Sequence, residues 1–145
     1  MHSSRLLGLI LILFFANSPA FASDDSYICV AESSVGFNFN KTSRQWERSN
    51  FKTRNKYIVR KSFQLNERWE VNKIGTSEGI TCEGDFDENN FIRCNGSIAF
   101  FMNNTSLRFI VVHPWGYVIN NATKDNSKDE GSVTPYLEIG KCSPP

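Results

Sequence analysis

In the stretch Arg68-Trp69-Glu70-Val71-Asn72-Lys73, Trp69 and Val71 alternate with Arg68, Glu70 and Asn72. A period of two marks a strand with one buried and one solvated face. Working outward, Gly75 and Gly79 bracket a turn ahead of Ile80 and Cys82, and upstream Lys56 to Phe63 sets Tyr57 and Val59 against Lys56 and Arg60. Further upstream, Tyr27, Cys29 and Ala31 point one way, Glu32 to Ser34 interrupt, and Phe37 and Phe39 then alternate with Asn38 and Asn40. Lys41 to Ser43 form a turn before Gln45, Trp46 and Phe51, so residues 37–51 read as a hairpin.

Downstream, Phe91 to Cys94 is a short strand, and Ser97 to Met102 and Leu107 to His113 are hairpin arms joined by Asn103-Asn104-Thr105-Ser106. Both alternate sets are mostly apolar in Leu107 to Val112. Such a strand is covered on both sides, or lines an apolar interior while packing outward against a loop. Pro114 stops it, since proline donates nothing to a ladder. Trp115 to Ile119 is expected to resume as strand, Asn120 to Ser132 to be a polar loop, and Thr134 to Cys142 to be the last strand.

Beyond residue 22, no run of eleven residues carries apolar groups at helical spacing. The expected fold is all-β: a small antiparallel up-and-down barrel of the lipocalin kind with about eight to ten strands, or alternatively a β-sandwich. One domain is expected over residues 23–145, with no linker or internal repeat to divide it.

Residues 1–22 read as a signal peptide. Arg5 precedes an apolar run from Leu6 to Phe15, and Ala20-Phe21-Ala22 supplies a small-x-small cleavage site. The run is shorter than a membrane-spanning helix needs, so no span is expected after cleavage. The expected address is the periplasm or the extracellular space. Of 16 Lys+Arg and 15 Asp+Glu in the chain, Arg5 is the one charge in that segment, which leaves the remainder neutral. A neutral domain lacks the basic excess of a nucleic-acid binder.

Four cysteines remain, Cys29, Cys82, Cys94 and Cys142, and in an oxidising compartment two disulfides follow. Three pairings are possible. Gly84, Asp85, Asp87, Asn89 and Asn90 make the segment between Cys82 and Cys94 turn-rich, which favours that pair and leaves Cys29 with Cys142. Joined termini suit a sheet that closes on itself. Widely spaced single cysteines and one histidine, His113, do not give zinc-ligand spacing, and neither metal nor cofactor is expected. Asp85, Asp87 and Asn89 match the first half of a calcium loop, but Asn90 replaces the turn glycine and Gly96 the bidentate glutamate.

Tyr27, Cys29, Gly36, Phe37, Asn40, Trp46, Phe51, Tyr57 and Ile58, with the closing Thr134, Pro135, Tyr136, Glu138, Ile139, Gly140 and Cys142, carry a resemblance. The chain resembles a group of small exported proteobacterial β-rich proteins of unknown function. The resemblance implies a bacterial source, a periplasmic address and a cysteine-stapled build, and it brings no catalytic residue.

Removing Phe14, Phe15 and Phe21 from the 12 Phe leaves nine, beside three Trp and four Tyr. Phe37, Phe39, Trp46, Tyr57 and Trp69 fall on alternations expected to face inward, where they either fill the barrel or line a small apolar pocket. The functional expectation is a monomeric, non-enzymatic binding or inhibitory module. Its loops or pocket would meet a protein, a glycan or a small apolar ligand of the cell envelope. The alternative is a hydrolase built on Asp/Glu pairs and His113, for which no local spacing supplies the orienting partner that a general base requires.

Overall fold

The longest strand, β1 (Ser26–Asn40), runs 15 residues and organises everything around it. In this computed structural model, residues 26–62, 68–77, 79–118 and 133–145 are described. The expected signal segment and the expected Asn120 to Ser132 loop lie outside the described residues. Eight further strands follow: β2 (Gln45–Asn50), β3 (Lys56–Ser62), β4 (Arg68–Lys73), β5 (Gly79–Thr81), β6 (Phe91–Asn95), β7 (Ala99–Asn103), β8 (Arg108–His113) and β9 (Tyr136–Ser143).

Every strand pair is antiparallel, in the spatial order β5-β4-β3-β1-β9-β8-β7-β6 with β2 beside β1. Cys82 and Cys94 form an isolated bridge that joins the two ends of this path, and the Glu83 amide donates to the Arg93 carbonyl at 2.9 Å. The result is a nearly closed up-and-down barrel, the expected architecture. Both expected disulfides are present, Cys29–Cys142 and Cys82–Cys94. The first ties β1 to β9 within their ladder, and the second lies at the seam.

β2 and β3 are two segments of one path along the same edge of β1. The Phe51 amide donates to Ser34 O at 3.0 Å and the Ala31 amide to Asn55 O at 3.1 Å, so pairing continues on either side of the break. The β1–β2 half of this long hairpin projects past the barrel. On the other edge of β1, the register against β9 shifts between Ala31 and Ser33, which makes Glu32 an extra residue. A one-residue bulge exchanges the faces of every side chain beyond it.

That exchange corrects three expectations. Tyr57 and Trp69 are buried in the core as expected, but Phe37 is 49% exposed, and Phe39 and Trp46 are half-buried on the hairpin's outer side. Counting on from Tyr27, Cys29 and Ala31 puts Phe37 and Phe39 inside; the bulge at Glu32 turns them out and brings Ser34 and Gly36 in. Trp46 pairs with Phe39 across the hairpin, with ring centroids 5.4 Å apart, and so follows it outward.

Large side chains of the described residues pack the interior. Tyr57, Phe100 and Phe109 interlock with ring centroids 5.4 to 5.8 Å apart, packed with Ile92, Met102, Val59, Val71 and Val111. At the end marked by Tyr27, the ring of Phe86 reaches from the Cys82–Cys94 loop onto Trp69 at 5.0 Å and closes the stack. At Gly140 a Cβ would strike the Val30 carbonyl and the Phe109 ring, so only glycine lets that ring lie against the backbone.

Trp115 to Val118, expected as strand, forms a single helical turn, α1 (Trp115–Val118). Pro114 fixes its own φ in the helical range, and its carbonyl accepts from the Tyr117 and Val118 amides at 3.2 and 3.4 Å. Tyr117 then meets Trp46 edge-on at 5.8 Å, bracing the projecting hairpin.

Candidate functional site

Among the described residues one carboxylate is buried. Glu138, on β9, is 2% exposed; Asn55 Nδ2 donates to its Oε1 and the Tyr57 hydroxyl to its Oε2, both at 2.6 Å. Charge-assisted bonds of this length satisfy both oxygens, as burial of a carboxylate requires. Leu137 and Ile139 would be the inward residues by hydropathy, yet the Cys29–Cys142 bond forces Cys142 inward, and with it Gly140 and Glu138.

Burial, followed by the hydrogen bond and the negative charge of Glu138, pushes the Tyr57 phenol well above its ordinary range. The folded chain therefore holds this proton to higher pH than the unfolded chain does. Its contribution to stability is complete below about pH 10 and falls above it by about 1.4 kcal/mol per pH unit. Unfolding free energies from denaturant titrations at about pH 9 and pH 11 should differ by about 1.4 kcal/mol through this group, and Tyr57→Phe should remove that difference. Identical differences for the two proteins would refute the assignment.

His113 faces the same end of the barrel. Its ring lies parallel to Tyr136 with centroids 5.0 Å apart, and its Nδ1 is buried without a hydrogen-bond partner among the described residues. Glu138 commits its oxygens to Asn55 and Tyr57, so the pair does not form the oriented base that acid–base hydrolysis requires. Asp87, from the half calcium motif, uses Oδ1 to accept from the Asn89 and Phe91 amides at 2.9 Å, and Asn90 takes φ 63°. This is a side-chain-closed turn.

The outer face is different in kind. On β8, Arg108, Ile110 and Val112 point outward; on β9, Lys141, Ile139 and Leu137 stand directly opposite them. Phe101 of β7 lies beside Ile110, and Val35 of β1 beside Leu137. Ile139 is 48% exposed and Phe91 44%. A groove of about 620 Å³ runs over this face between Phe91, Phe101, Ile110 and Ile139, with Glu32, Arg108 and Lys141 at its rim. Contiguous exposed apolar surface on a barrel exterior marks a contact site. The sequence carries its signal in the doubly apolar run Leu107 to Val112, which is apolar outward with no described loop seated on it.

Searched against models of protein families, curated proteins and solved structures, the chain matches none of them.

Proposed function

We propose that this protein is an exported, non-catalytic binding module whose ligand sits on the outer face of the barrel, in the groove across β6 to β9. The carrying observation is the contrast between an interior packed with large side chains among the described residues and an open apolar groove of about 620 Å³, within the roughly 300–1,000 Å³ of small-molecule sites. Two disulfides support an oxidising compartment, the periplasm or beyond the cell. Among the described residues, no helix is long and apolar enough to cross a membrane.

A panel of acyl, aryl, peptide and glycan fragments, screened by amide and methyl chemical shifts, tests this. Binders should move Phe101, Ile110, Ile139 and their neighbours. Hits that map to the interior methyls of Ile92, Met102 and Val111, or no hits across the panel, would overturn the reading.

A further inference from the structure

The groove's charge pattern is as specific as its shape. Arg108 and Lys141 are register partners on β8 and β9, and both point outward. Like charges directly opposite one another on antiparallel strands repel and weaken the pair. Glu32, placed by the bulge, approaches Lys141 at 3.7 Å in an exposed ion pair. Arg108 has no carboxylate partner among the described residues. Two cations and one carboxylate leave this end of the groove with a single uncompensated positive charge.

Along the strands the chemistry then changes in steps. The pair next to Arg108 and Lys141 on the same face is Ile110 with Ile139, and the next is Val112 with Leu137. At about 3.3 Å per residue the apolar pairs stand about 7 Å and about 13 Å along the strand from the cationic pair, so a cationic end gives way to a short apolar track. Phe101 and Phe91 wall the track on one side.

We propose that the groove binds an amphipathic monoanion of the fatty-acid type. Its carboxylate lies between Arg108 and Lys141, and its tail runs over Ile110 and Ile139 toward Val112 and Leu137. An anionic head relieves the repulsion between the facing cations, the guanidinium of Arg108 offers a fork that matches a carboxylate, and the tail covers surface that water otherwise meets. The proposal rests on the outer-face reading above and adds the ligand class.

Dodecanoate below its micellar range is the probe, with dodecyltrimethylammonium and a neutral dodecyl glycoside as controls of equal tail length, each followed by amide shifts and calorimetry. Dodecanoate should bind at least about tenfold more tightly than either control, with shifts on β8 and β9. Arg108→Gln and Lys141→Gln should each remove about tenfold for dodecanoate and leave the neutral amphiphile unchanged. Both side chains are exposed, so the variants should keep the parent spectrum away from the groove. Ile110→Ser should weaken all three amphiphiles together.

Equal binding of the three head groups, with shifts on the groove, would overturn the anion assignment and leave the outer-face site standing. No groove shifts with any of the three would overturn both. Association with phosphatidylglycerol vesicles without binding of dispersed dodecanoate would also overturn the proposal, because the face would then read a lipid surface rather than one molecule.

Discussion

Cys142→Ser should lower the unfolding free energy by about 5 kcal/mol, against about 3 kcal/mol for Cys94→Ser. The Cys29–Cys142 bond spans 113 positions and Cys82–Cys94 spans 12, and the chain-entropy cost removed from the unfolded state grows with the logarithm of that span. In the folded state Cys29 and Cys142 are already ladder partners, so hydrogen bonding holds β1 beside β9 with or without the sulfur bridge. The bond therefore acts chiefly on the unfolded chain. Guanidinium unfolding of both variants, repeated with Cys29→Ala/Cys142→Ala to remove the stranded thiol, measures the difference directly. Losses of equal size would mean that the seam bond contributes native-state cohesion beyond loop entropy.

The second large effect lies at Glu138. Tyr57→Phe deletes one hydroxyl, yet it strips the buried Oε2 of its donor at 2.6 Å, and about 1–3 kcal/mol is the usual cost of leaving a buried acceptor unsatisfied. In a Glu138→Leu background the same deletion should cost far less, since no carboxylate remains to be stranded. A double-mutant cycle should return a coupling of at least about 1.5 kcal/mol. Simple additivity would show that the 2.6 Å contact contributes little and that the Tyr57 ring is held by packing against Phe100 and Phe109.

The sequence made strand positions and sulfur pairing legible for local reasons. Trp69 and Val71 alternate with charged neighbours, and the turn-rich loop after Cys82 returns the chain to Cys94 within 12 positions. What was not legible depends on several strands at once. Glu32 becomes a bulge because β1 must keep register with β9 on one edge and with β2 and β3 on the other, and the interruption at Glu32 to Ser34 does not by itself say that the faces exchange. Phe37, Phe39 and Trp46 were misplaced through that one residue. Glu138 was hidden by Leu137 and Ile139, which look like the buried pair; only the inward demand of Cys142, four positions on, reverses their parity. The helical turn at Trp115 depended on Pro114, whose fixed φ suits a turn start as well as a strand end.

The groove was half legible. An apolar outward set in Leu107 to Val112 was visible, but its alignment against Ile139 and Leu137, and the meeting of Arg108 with Lys141, are facts of register.

The seam gives the barrel a chemical latch. Between β5 and β6 the ladder is reduced to one bridge, and the covalent link at that bridge is Cys82–Cys94. A ring of strands is nearest to a sheet with two margins where its ladder is this thin. Unpaired strand margins recruit strands from other molecules, and barrels escape this by having none. The covalent link therefore sits where the ring of strands is joined by few backbone bonds, one bridge and the Glu83 to Arg93 hydrogen bond.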